Sequence, residues 1–129
     1  MKFGYTIIYV QDVPASLAFF EAAFGLQRGF VSPDGEFGSL DTGPTSLSFC
    51  QHDTALDSVG QPYVVAQTSA QPLGIEIGLV TDDVAAACQR ALAAGAQLIK
   101  APQQKSWGQT VAYVRCPDGT LVELCTPMG

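Results

Sequence analysis

"YTIIYVQDVPASLAFFEAAFGL" (residues 5–26) and "EIGLVTDDVAAACQRALAAGA" (residues 76–96) follow one plan: an alternating apolar strand, an acidic turn ending in Asp-Val, a helical pattern and a closing glycine. An internal repeat decides a fold before any single element does, because each copy is one supersecondary unit that needs a neighbour to bury its apolar face. Setting Asp12 against Asp83, an offset of 71 residues, places Tyr5 opposite Glu76. In the first copy Leu17, Phe20 and Phe24 follow helical spacing, with Asp12 placed to cap the amino end and Gly25 the carboxyl end. In the second copy the buried stripe is Val84, Cys88, Ala91 and Leu92, and Gly95 closes it. Both stripes are assigned to packing, since apolar residues at this spacing serve a core.

Working outward, each copy continues alike. "GEFGSLDTGPTSLSFCQ" (residues 35–51) is matched by "WGQTVAYVRCPDGTLVELCTP" (residues 107–127): a strand, a turn built on Pro and Gly, and a second strand. Aligning these strands sets Ser48 opposite Glu123, an offset of 75. The expected fold is α+β, a single domain over residues 1–129 made of two tandem βαβββ modules, 1–56 and 73–129. Between them "DTALDSVGQPYVVAQTSAQP" (residues 53–72), rich in Gly, Pro, Ser and Gln, is read as a linker or flap centred on 57–72.

Composition narrows the function classes. The chain has 129 residues, 47% hydrophobic and 14% charged, too apolar for disorder yet without the ~20-residue apolar run a membrane span requires. The start, "MKFGYTIIYVQDV", lacks the cleavage pattern of a secretory signal, so a cytoplasmic location is expected. Twelve acidic against 6 basic residues give a net charge of -6, which repels phosphate backbones. Neither nucleic acid nor a membrane is an expected partner. Cys50, Cys88, Cys116 and Cys125 are widely spaced, without CxxC pairing, and read as buried reduced thiols. No GxSxG, GxxxxGK[ST] or GxGxxG motif is present, so any chemistry must come from acids and aromatics on the strands.

The paired pattern "IIYVQDVPASLAFFEAAFGL" and "AYVRCPDGTLVELCTP", with "PDGTLVEL" its most specific piece, resembles the vicinal oxygen chelate superfamily of glyoxalases, bleomycin-resistance proteins and extradiol dioxygenases. The resemblance spans nearly the whole chain. It implies a U-shaped sheet per module enclosing a cleft, and often a homodimer that completes or exchanges such clefts. It also maps the family's four metal-ligand positions onto Tyr5, Ser48, Glu76 and Glu123. A phenol and a hydroxyl are poor partners for transition metals, which favour imidazole or thiolate, so no metal and no cofactor is expected. His52, the only histidine, does not align with a ligand position.

The acids then need another explanation, because a buried carboxylate must be hydrated, hydrogen-bonded, protonated or paired. Glu76 is tolerated if its strand faces a cavity. Glu123 either bonds Tyr5 or Tyr113 within the sheet or meets a ligand. Strand parity in "GQTVAYVR" (residues 108–115) puts Gln109, Val111 and Tyr113 on one face, which the resemblance turns toward the cleft. Trp107, with Phe37, Phe49 and Tyr63, would offer flat apolar surface for an aromatic ligand. Arg115 is expected to pair with an acid or hold an anionic group. The expected ligand-contacting set is Tyr5, Phe37, Ser48, Phe49, Tyr63, Glu76, Trp107, Gln109, Tyr113 and Glu123. The expected role is non-catalytic sequestration of a small aromatic molecule or antibiotic, as in bleomycin resistance. The alternative is a metal-dependent glyoxalase-like lyase, isomerase or dioxygenase built on Glu76 and Glu123.

Overall fold

A computed structural model describes residues 1–128. The first module holds β1 (Tyr5–Val10), α1 (Val13–Phe24), β2 (Gln27–Val31), β3 (Phe37–Asp41), β4 (Ser46–Gln51) and α2 (His52–Val59). The second holds β5 (Glu76–Val80), α3 (Val84–Ala94), β6 (Gln97–Gln104), β7 (Thr110–Arg115) and β8 (Leu121–Cys125). Each module forms its own four-stranded mixed sheet, ordered β1-β4-β3-β2 and β5-β8-β7-β6, with one parallel pair and two antiparallel pairs.

The repeat read from the sequence is the repeat of the backbone. Ile7 pairs with Ser48 and Gly78 with Glu123, which reproduces both offsets, and makes Tyr5 and Glu76 the first residues of equivalent strands. The Asp12 and Asp83 carboxylates each accept a backbone N–H, from Ala15 and Ala86, at 3.0 Å. Each thereby satisfies one of the donors a helix leaves free at its start. Gly25 and Gly95 end the two helices in the left-handed conformation.

The core lies between the sheets' inner faces and the two long helices. Leu17 and Phe20 of α1 meet Leu40, Leu47 and Phe49, while Val84, Cys88 and Ala91 of α3 join Ala112, Val114, Val122 and Leu124. At Gly38 a Cβ would stand 2.7 Å from Leu17 Cδ1, so a larger residue there would have to displace the Leu17 side chain that packs on β3. Two polar ties join the modules. Ser16 Oγ donates to Asp118 Oδ2 at 2.9 Å, and Arg90 Nε donates to the Ala22 carbonyl at 2.8 Å.

The segment between the modules differs from expectation in two ways. Residues 52–59 are helical, so the first module extends past residue 56. The signal was present: His52, Ala55, Leu56 and Val59 repeat at helical spacing, with Asp53 in the first turn and Gly60 at the end, but the polar composition masked it. Beyond Gly60 the chain is tied down rather than free. Arg115 Nη2 donates to the carbonyls of Ala66 and Ser69, both at 2.8 Å, so Arg115 holds backbone oxygens and not the acid or anion expected of it. Gly119, at φ +92, lies so close to Ala66 that a Cβ would come within 2.3 Å of its carbonyl. Among the described residues no helix is long and apolar enough to cross a membrane, and all four cysteines are free and buried.

Candidate functional site

The faces of β7 and β8 turned away from α3 carry the candidate site. Directly paired residues of neighbouring strands share a face, and Tyr113 pairs with Glu123 while Val111 pairs with Cys125. The Tyr113 hydroxyl donates to Glu123 Oε2 at 3.1 Å. On the adjacent strand Glu76 lies diagonal to Glu123. Partial burial, then a hydrogen bond and charge repulsion from Glu123, hold the Glu76 carboxyl above its ordinary proton affinity. Burial first, and Glu123 second, also raise the Tyr113 phenol, which keeps it a neutral donor. The two acids therefore do not face each other across a cleft, as expected, but sit side by side on one sheet.

A hollow of about 940 Å³ opens over Glu123 and Tyr113. Its rim is Trp107, presented by a tight turn in which Gly108 N donates to the Lys105 carbonyl at 2.9 Å, with Gly108 at φ +97. A short relay fixes the indole: Trp107 Nε1 donates to Gln109 Oε1 at 2.9 Å, and Gln109 Nε2 donates to the Thr126 carbonyl at 2.8 Å. The indole remains 64% exposed. Met128 and Val80, both exposed, extend the apolar rim, and Lys105 is the only cation lining the hollow. All of these wall residues lie between Val80 and Met128, so one chain supplies a single wall from its second module.

The structure gathers Glu76, Trp107, Gln109, Tyr113 and Glu123 from the sequence-derived set and separates the others from them. Tyr5 is 63% exposed at the start of β1. Ser48 is buried on the first module's equivalent face, 3.3 Å from the Ser46 hydroxyl. Phe37 lies on that face as well, opposite Cys50. Phe49 requires a correction: it is 0% exposed and packs edge-on against Phe20 at 5.1 Å, so it is core and contacts no ligand. The parity argument would have placed it there, because Phe49 pairs with Gly38, whose face meets α1. Tyr63 belongs to a separate cluster, with its hydroxyl 2.6 Å from His52 Nδ1 and its ring 5.0 Å from that of Tyr9. Val80 and Cys125 were missed, although they share strand parity with Glu76 and Glu123, while Val111 lines the hollow on the face that parity gave it but was left out of the ligand-contacting set.

The donor set does not fit a family-type transition metal. Glu76 and Glu123 are its only carboxylates, Tyr113 already occupies one oxygen of Glu123, and the equivalent first-module positions hold Tyr5 and Ser48. No group of three or more His, Cys, Asp or Glu side chains that could hold a metal ion occurs among the described residues. Burial, and then Glu123, raise the neighbouring Cys125 thiol, which disfavours its thiolate form.

Two modules of this order, each a four-stranded mixed sheet with one face backed by a helix, define a two-module vicinal oxygen chelate architecture. A family model, Glyoxalase/Bleomycin resistance protein/Dioxygenase superfamily, matches residues 2–124, and the chain belongs to that superfamily. Solved structures agree. A glyoxalase-related enzyme from Fulvimarina pelagi superposes with a TM-score of 0.84 at 21% identity, over 98% of this chain and 88% of that one. A glyoxalase/bleomycin resistance protein/dioxygenase family enzyme from Burkholderia phytofirmans PsJN gives 0.81 at 25% identity, covering 98% of each chain. TioX from Micromonospora sp. ML1 gives 0.68 at 22% identity, again covering 98% of each. No curated protein matches the sequence.

Proposed function

We propose that this protein binds and sequesters, without chemical conversion, a small aromatic molecule that carries a cationic or hydrogen-bond-donating group, as in the bleomycin-resistance branch of its superfamily. The observation that supports this reading is the exposed Trp107, held by Gln109 over a hollow whose floor presents the Glu123 carboxylate. A fixed indole offers a stacking surface at little entropic cost, and a carboxylate on a half-buried floor favours a cation. A hollow of about 940 Å³ lies at the upper end of small-molecule sites. The net charge of -6 attracts cationic ligands to the surface. Because one chain walls the hollow from one side, a second copy is the natural lid, and the exposed apolar residues Val80, Trp107 and Met128 give it a surface to cover. The cytoplasm remains the expected compartment.

A panel of planar cationic antibiotics and dyes, titrated against the protein and followed by Trp107 fluorescence, tests the proposal. Micromolar or tighter binding, insensitive to chelator and with the ligand recovered unchanged, supports it. Conversion of the ligand on addition of a divalent metal, abolished in Glu123→Ala, would replace it with a metal-dependent lyase, isomerase or dioxygenase.

A further inference from the structure

A second cavity, of about 190 Å³, lies between the modules and away from the Trp107 hollow. Its walls are the outer edges of β1 and β5, the terminal strands of the two sheets, and its roof comes from the segment after α2. The lining is apolar almost throughout, with Ile7, Ile8, Leu73, Ile75 and Ile77 among its side chains, and Glu76 supplies the one carboxylate.

The roof is built into place from both sides. Tyr63 is fixed by His52 at 2.6 Å and by its tilted ring contact with Tyr9, and Ala66 is fixed by Arg115 and by the close approach of Gly119. These contacts spend polar groups and a glycine on holding a void open, whereas a cavity left by poor packing would be expected to collapse.

We propose that this inter-module cavity is a binding site for a small hydrophobic amine, one aromatic ring or its aliphatic equivalent on a short chain, with the ammonium group on Glu76. A cavity of about 150 Å³ already holds a benzene ring, so the space suits a single ring. The carboxylate selects a cation over a neutral or anionic analogue, and a charge-assisted hydrogen bond is worth about twice a neutral one. Glu76 lies diagonal to Glu123 on the paired strand, so an ammonium here relieves the charge repulsion between the two acids. This site is distinct from the Trp107 hollow and stands or falls without it.

The test is a titration of the intact protein with 2-phenylethylamine, 2-phenylethanol and phenylacetate, followed by backbone amide chemical shifts. The amine should bind saturably, the alcohol more weakly and phenylacetate not at all, with the largest shifts at residues 6–9, 63–66 and 119–121. Glu76→Gln should weaken the amine about tenfold and leave the alcohol within about twofold, as expected for loss of one charged hydrogen bond. Leu73→Trp, which fills the cavity from its roof without touching the hollow, should abolish both. Failure of the amine to saturate, shifts centred on Trp107 and Gln109, or equal binding by wild type and Glu76→Gln would each overturn the proposal. Should Leu73→Trp lose its dispersed spectrum, the Glu76→Gln comparison decides alone.

Discussion

The Tyr113 hydroxyl donates to Glu123 Oε2 across a directly opposed strand pair, leaving the other carboxylate oxygen of Glu123 free of the phenol, with Glu76 diagonal to it on the next strand. The phenol is thus a positioning group that fixes which way the acid points. Tyr113→Phe should cost about 1 to 2 kcal/mol in stability, the usual worth of a hydrogen bond to a charged group that is only partly buried, read from the denaturation midpoint at constant m-value. It should also remove one late-titrating phenol from the ultraviolet pH titration, because burial and Glu123 keep Tyr113 protonated beyond the ordinary value of 10.0. An unchanged titration curve would place Tyr113 away from the acid.

Glu76 predicts a pH dependence of definite sign. Its folded-state proton affinity lies above the ordinary value of 4.5, so the folded chain binds more protons than the unfolded chain just above that pH. Stability from this group is therefore fully present below about pH 4.5 and is lost as pH rises through the higher folded value. Glu76→Gln should be at least as stable as wild type at pH 7, by no more than about 1 kcal/mol because the side chain is exposed, and should lose that advantage in acid. Thermal melts of both proteins from pH 4 to pH 8 give the comparison, and a variant less stable at pH 7 would contradict the assigned repulsion.

What the sequence made legible was whatever the repeat constrains. Asp12 with Asp83, Gly25 with Gly95, and the offsets linking Tyr5 to Glu76 and Ser48 to Glu123 are all local backbone requirements that recur, so they could be read twice. The parity of Tyr113 and Gln109 was legible for the same reason. How the two open faces lie relative to one another was not, because that depends on packing between modules: α1 against α3, and Ser16 to Asp118. The acids were expected to face each other because the pairing of β5 with β8 inside the second module is non-local, and Phe49 was assigned to a ligand although the parity of its own strand turns it toward α1. The Arg115 clamp was equally hidden, since its partners are backbone carbonyls 46 and 49 residues away, which have no sequence signature.

That clamp gives a third prediction. Gly119→Ala must place a Cβ 2.3 Å from the Ala66 carbonyl at a φ of +92, so either the turn or the linker has to move. The loss should exceed about 2 kcal/mol, combining left-handed strain with a backbone clash. Arg115→Gln, which keeps one donor and loses the reach, should be milder in a thermal melt yet expose the segment between residues 60 and 74 to limited proteolysis. Resistance equal to wild type would mean that other contacts hold the linker.

Ser16→Ala tests the seam between the modules. It removes the hydroxyl that donates to the buried Asp118 carboxylate, whose other oxygen accepts the Thr120 backbone N–H. Leaving a buried acceptor short of a partner costs about 1 to 3 kcal/mol. Denaturant unfolding at constant m-value measures it, and an unchanged midpoint would show that solvent replaces the serine.

Trp107 separates ligand binding from folding. Its indole is largely exposed, and its polar contact is with Gln109, itself anchored on Thr126, so the ring contributes little to the core while its orientation is fixed. Trp107→Ala should weaken a stacked aromatic ligand by about 1 to 3 kcal/mol and leave the melting temperature nearly unchanged. Gln109→Ala keeps the indole but frees it to rotate, so it should give a smaller loss of affinity, from the added cost of ordering the ring on binding. Calorimetric titration of the three proteins with one planar cation ranks them. Equal affinities would remove the rim from the site, whereas a Gln109→Ala loss as large as that of Trp107→Ala would mean that the amide itself meets the ligand.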